Sequence, residues 1–172
     1  MILRERLGGN AFQIITVRIK KIVSGGQTGV DQAALDFALE NGIECGGWCP
    51  KGRICEAGKI PVKYPVKETE NESYSFRTEL NVRSSDGTLI FTKDYITGEG
   101  TALTIENCTA LQKPYLSIEI TDFDRKTKIG FRNWCFKNNV KILNVAGNRE
   151  SHSPGIKNAV KKLMKILFET KK

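Results

Sequence analysis

KKIVSGGQTGVDQAALDFAL, residues 20–39, is the stretch that decides the fold. Ile22 and Val23, with Ile19 just before them, are β-branched residues suited to a buried strand. Ser24, Gly25, Gly26, Gln27, Thr28 and Gly29 follow as a small, polar turn. Val30, Ala33, Ala34, Phe37 and Ala38 then recur at the spacing of one apolar helix face. A helix start leaves backbone N–H groups unpaired and carries partial positive charge, and glycines let an anion approach the chain closely. The turn therefore reads as a phosphate or oxyanion cradle with free backbone amides, against the plainer reading of a tight strand-to-helix connection. Its spacing is neither the GxGxxG of a dinucleotide fold nor a P-loop, which would end in Lys-Ser/Thr. Asp31, in the first helical turn, either complements the helix dipole or contacts a ligand hydroxyl. Thr28 and Thr101 either cap helices or touch the ligand.

The same grammar recurs twice. TLIFT (88–92) leads into Thr97-Gly98-Glu99-Gly100-Thr101 and a helix over about 102–111. VKILNV (140–145) leads into AGNRESHSP (146–154), which carries Gly147, Asn148 and Arg149. A last helix follows, with Pro154 suited to its first turn and Ile156, Ala159, Val160, Leu163 and Leu167 as its apolar stripe. Between these units lie strands at 43–48 and 114–120, a short helix over 73–82 carrying Arg77, and a helix from Asp122 as N-cap to Asn138. Strands alternating with helices predict an α/β fold, a Rossmann-like three-layer sandwich with a mainly parallel sheet of about five strands. All three glycine loops then fall at the carboxyl edge of the sheet, where ligands bind at a reversal of strand order. With the first strand beside the third, the loops at Gly25 and Gly98 meet across the crevice. Arg149 then reaches in from farther off as a bidentate clamp on phosphate.

A chain of 172 residues suits one ligand-binding domain over 19–172, with 1–18 as an N-terminal extension whose run from Ile14 to Val17 suits an edge strand. The net charge of +8 favours anionic partners. The lysines are dispersed, however: Lys157, Lys161 and Lys165 share one helix face, Lys171 and Lys172 lie in the tail, and no aromatics interleave with them. Nucleic acid is thus not the expected partner. No apolar run is long enough to span a membrane. The five cysteines are odd in number and come with no secretory signal, as expected of a cytoplasmic protein. Cys45, Cys49 and Cys55 lack a nearby fourth ligand, and His152 is remote, so no metal site is expected. The long Gly- and Pro-rich segment 46–65 reads as a functional loop, with Lys51 and Arg53 as anion-facing candidates. No nucleophile has an evident base beside it in sequence, which leaves covalent catalysis without support.

GGQTGVDQAALDFAL, GGWCPKGR, RTELNVRSSDGTLIF (77–91), GEGTALT and LNVAGNRESHSPGI, in that order, resemble the putative molybdenum carrier family. That family is related to the molybdenum-cofactor carrier protein of algae and similar in fold to the lysine-decarboxylase-like phosphoribohydrolases. The resemblance spans about residues 19–167. It implies a cytosolic homo-oligomer, dimer or tetramer, binding an anionic small molecule that is pterin- or nucleotide-like, with molybdenum cofactor (molybdopterin) as the implied bound ligand. It also raises the functional standing of Arg77. The related phosphoribohydrolases carry GGxGTxxE, whose glutamate acts with an arginine in cleaving a nucleotide's N-glycosidic bond. Here Thr104 stands at the glutamate position, and a hydroxyl does not replace a carboxylate as base or as stabiliser of positive charge. The expected function is therefore a carrier rather than an enzyme. The alternatives are a nucleotide-processing hydrolase drawing on Asp31, Glu56 or Glu106, and a nucleotide-sensing module.

Overall fold

The computed structural model describes residues 3–7, 11–15, 18–95 and 97–169. A hairpin of β1 (Leu3–Leu7) and β2 (Ala11–Ile15) precedes the main domain. Ile14 and Ile15 thus pair within an antiparallel ribbon, not as an edge strand of the main sheet, and 16 and 17 lie outside the described residues. The domain then runs β3 (Lys21–Val23), α1 (Val30–Glu40), β4 (Glu44–Cys49), the small hairpin β5 (Ile54–Cys55) and β6 (Gly58–Lys59), and β7 (Val66–Glu68). It continues with α2 (Tyr74–Arg83), β8 (Gly87–Thr92), α3 (Glu99–Ala110), β9 (Tyr115–Glu119), α4 (Arg125–Lys137), β10 (Ile142–Gly147) and α5 (Ile156–Phe168).

Six strands form one sheet in the order β7-β4-β3-β10-β8-β9, and every pairing in it is parallel. Each helical connection can then turn right-handedly only if the helices divide between the faces. They do: α1 and α5 pack together on one side with α4 against α5, while α2 and α3 pack together on the other. The result is a Rossmann-like three-layer sandwich. The sixth strand, β7, lies just beyond the Pro-rich segment and is reached from β4 without an intervening α-helix.

The α1/α4/α5 side holds the main core, where Ile22, Phe37, Phe131, Leu143, Val160 and Met164 are all buried. Full burial of each such side chain is worth about 1.5–3 kcal/mol. The α2/α3 side is lined instead by small polar residues, with Thr78, Asn81, Thr88, Thr104 and Asn144 all buried. The lysine face of α5 is not simply solvated, because Lys157 pairs with Asp36 at 3.1 Å and Lys161 with Glu40, both on α1. Two helix starts differ from expectation. Asp124, not Asp122, caps α4, forming a reciprocal capping box with Thr127. Pro154 sits before α5 rather than in its first turn, since Gly155, at φ 83°, is the N-cap.

Candidate functional site

The strand order sets the site. β10 lies between β3 and β8, so the loop that follows it is central to the reversal and is not the distant third partner expected from the sequence. Arg149 therefore leaves the sheet beside both other glycine loops. At this carboxyl edge a cleft of about 490 Å³ is lined by Gln27 and Asp31, by Arg77 and Thr78, by Thr97 to Thr101 with Thr104, and by Ala146 to Arg149 with His152. The three loops thus converge on one space.

Glycine is required at two contacts here. A Cβ on Gly25 would lie 1.6 Å from Arg77 Nη1 and 2.9 Å from Asp31 Oδ2, so only glycine leaves room for that pair. Gly29 has φ +78°, and a Cβ there would lie 2.5 Å from the carbonyl oxygen of Asn148, so glycine lets the first and third loops touch.

The first loop departs from the free-amide cradle read in its sequence. The Gln27 amide donates to Asp31 Oδ2 at 3.2 Å, the Thr28 amide to Gln27 Oε1 at 3.0 Å, and the Val30 amide to the Asn148 carbonyl at 3.2 Å. A carboxylate of the protein thus takes donors that a bound anion would otherwise use. Asp31 is 4 % exposed. Burial pushes its carboxyl above the ordinary value, against the opposing pull of Arg77 and the Gln27 and Gly25 amides. Arg77 Nη1 meets Asp31 Oδ2 at 3.2 Å.

The second loop is open. Gly98 is the N-cap of α3 without a side-chain cap, and its carbonyl accepts from Thr101 and Ala102. The amides of Glu99 and Gly100 donate to no other described residue, which leaves a helix N-terminus presented to the cleft. Glu99 itself is exposed. Thr101, 2 % exposed, donates to Asn148 Oδ1 at 3.4 Å, and Asn148 Nδ2 donates to Ser153 Oγ at 2.9 Å. These two residues join the second and third loops.

Arg77 and Arg149 both lie against Tyr74, their guanidinium carbons 5.8 and 5.3 Å from its ring centroid. Attraction of a cation to an aromatic face is worth about 0.5–1 kcal/mol at an exposed site. Among the described residues Arg149 forms no ion pair.

Other sequence candidates lie elsewhere. Arg53 points Nε at the Ile60 carbonyl, Nη1 at that of Val66, and Nη2 at those of Pro61 and Tyr64, all at 3.0–3.2 Å. It organises the 46–65 segment and does not line the cleft; Lys51, exposed in the short turn Lys51–Arg53, does not line it either. Gly26 packs against Ile60. Thr28 donates to Glu56, which also accepts from the Ser151 amide at 3.2 Å and its hydroxyl at 2.6 Å. Glu56 is therefore a strut between loops, and Glu106 is exposed away from the cleft. Tyr74, Thr78 and the cleft position of His152 were not legible in the sequence; only the three-residue spacing of Tyr74 and Arg77 on a helix could have pointed to the first. Among the described residues, no three His, Cys, Asp or Glu side chains converge on a metal-sized site. No helix is long and apolar enough to cross a membrane among the described residues.

The model of the circularly permutated YpsA SLOG family matches residues 22–168. The crystal structure of a Putative molybdenum carrier protein from Syntrophus aciditrophicus SB is 40% identical, with a TM-score of 0.84 over 88% of this chain and 96% of that one. No curated protein matches the chain. The match of sequence model, identity and fold across nearly the same span places this chain in the circularly permutated YpsA SLOG family.

Proposed function

We propose that the protein is a carrier that binds a phosphate-bearing pterin or nucleotide-like molecule in the cleft between its glycine loops. The observation that carries this is the pairing of the uncapped start of α3 with Arg149, a guanidinium without an ion pair among the described residues. Backbone donors, a helix dipole and a fixed cation together suit a phosphate. Gln27 and Arg77 add donors on the opposite wall, and Gly98 and Gly100 keep side chains out of the phosphate's path. Molybdenum cofactor, with its phosphorylated pterin, fits this donor set through its phosphate and polar ring edge.

Binding is favoured over cleavage by Thr104, whose hydroxyl donates to the Gly100 carbonyl at 2.8 Å and offers no carboxylate to the cleft. A native mass spectrum of the purified protein tests the proposal. Added mass equal to a phosphorylated pterin or a nucleotide, released on denaturation, supports it. A bare chain that also fails to take up phosphate at millimolar concentration overturns it.

A further inference from the structure

The amide of Gln27 is oriented by its surroundings. Its Oε1 accepts from the backbone amides of Thr28 and Glu56, both at 3.0 Å. An oxygen is the only end of a carboxamide that can accept two N–H donors, so the opposite end is the NH₂ group. That group has no partner among the described residues, although Gln27 is only 4 % exposed. A buried donor left unmatched is costly, and such groups in native proteins ask for an explanation. Arg77 Nε is likewise buried without a partner. Both residues line the cleft and both meet Asp31, which puts them on one wall of it.

That wall is not the phosphate wall. Gln27 follows β3 and Gly98 follows β8, with β10 between these strands. Two strand spacings put the loops roughly 10 Å apart, farther than the oxygens of one phosphate can span. The cleft volume of about 490 Å³ is in the range of small-molecule sites and several times what a lone oxyanion fills.

We infer that Gln27 and Arg77 form a second subsite, which reads an acceptor-bearing ring edge on the ligand while the α3 start and Arg149 hold its phosphate. This rests on the carrier reading and adds a rule of selection: a phosphorylated heterocycle with an oxo group or ring-nitrogen acceptor binds, and inorganic phosphate alone binds less well. Gln27 is the specificity residue, because its carboxamide cannot turn over to present its oxygen to the ligand without losing the two amides that fix it. A ligand that presents a donor at that edge meets a donor.

Titrating guanosine 5′-monophosphate and inorganic phosphate separately into the wild type and Gln27→Glu tests the inference. The glutamate keeps an oxygen for the Thr28 and Glu56 amides but turns the reading end into an acceptor. The wild type is expected to bind the nucleotide at least tenfold more tightly than phosphate, and this ratio should fall below about threefold in Gln27→Glu. A ratio unchanged by the substitution, or a wild type that binds both probes equally, overturns the subsite and leaves the carrier reading standing. A wild type that binds neither overturns both. If Gln27→Glu does not fold, the side-chain amide signal of Gln27 in a ¹⁵N-correlated NMR spectrum of the wild type replaces it. The signal should shift with the nucleotide and stay with phosphate, and the absence of a nucleotide-specific shift overturns the inference.

Discussion

Asp31 Oδ2 and Arg77 Nη1 meet at 3.2 Å across the Cα of Gly25, with side chains only 6% and 13% exposed. Asp31 therefore does two things at once: it takes the N–H donors of the first glycine loop and it fixes one of the two arginines in the cleft. Removing one partner of a buried pair leaves the other charge uncompensated, at a cost of about 3–5 kcal/mol. Asp31→Ala, which removes the acceptor of the Gln27 amide together with the partner of Arg77, should accordingly lower the midpoint of thermal unfolding by many degrees. A change within experimental error would show that the pair contributes nothing to the fold.

Arg149→Ala should behave in the opposite way. Its guanidinium rests on Tyr74 without an ion pair among the described residues, so the free protein loses little when it goes. Affinity for phosphate should fall by about 1.5–3 kcal/mol, the range of a hydrogen bond to a charged group. Calorimetric titration checks the affinity and a melting curve checks the fold. Equal losses in both would make Arg149 a structural residue.

Arg53→Lys separates the loop organiser from the cleft. A lysine cannot reproduce a planar fork directed at four carbonyls. Stability should drop by about 2–4 kcal/mol, while affinity for phosphate stays within twofold of the wild type. A large loss of affinity at unchanged stability would return Arg53 to the ligand.

Glu56 gives a pH-dependent prediction. Burial pushes its carboxyl up, but hydrogen bonds from Ser151 and Thr28 outweigh this and hold it below the ordinary 4.5. A depressed carboxyl contributes stability above its unfolded value, and that contribution disappears as pH falls through the lower folded value. The melting temperature of the wild type should exceed that of Glu56→Gln near neutrality, with the gap closing below pH 4.5. A gap constant across that window would mean that the strut does not depend on charge.

The layers and the placement of the glycine loops at one sheet edge were legible because apolar periodicity reports burial directly, as in Val30 to Ala38 against the sheet. The neighbour of β3 was not legible, because parallel strands pair through long-range order that leaves no mark on their own residues; Leu143 beside Ile22 looks like any buried strand pair. The role of Asp31 was half legible. A carboxylate in a first helical turn fits the dipole, but its hold on Arg77, which is 46 residues away, appears only when α2 comes to rest beside β4. Arg53 was misplaced for the same reason: positive charge in a glycine loop suggests an anion, and the carbonyls that use it are brought round by the fold of the loop itself.

Thr104 carries the last prediction, which separates carrier from hydrolase. It is 3% exposed, lines the cleft and spends its hydroxyl proton on the Gly100 carbonyl. The two carboxylates of the lining are differently engaged: Asp31 is tied to Arg77, and Glu99 stands exposed in the first turn of α3. General acid or base catalysis contributes about a hundred- to ten-thousandfold in rate, each factor of ten being worth about 1.36 kcal/mol. Without a carboxylate at position 104, incubation of the protein with adenosine 5′-monophosphate should release no free adenine above a protein-free control, as followed by chromatography. Thr104→Glu places a carboxyl in a buried position, where desolvation raises its pKa toward the range of a general acid. Base release confined to that variant would show that the cleft has the geometry of a phosphoribohydrolase and lacks its catalytic group. Release by the wild type that is abolished in Glu99→Gln would instead assign the acid to Glu99 and make the protein an enzyme.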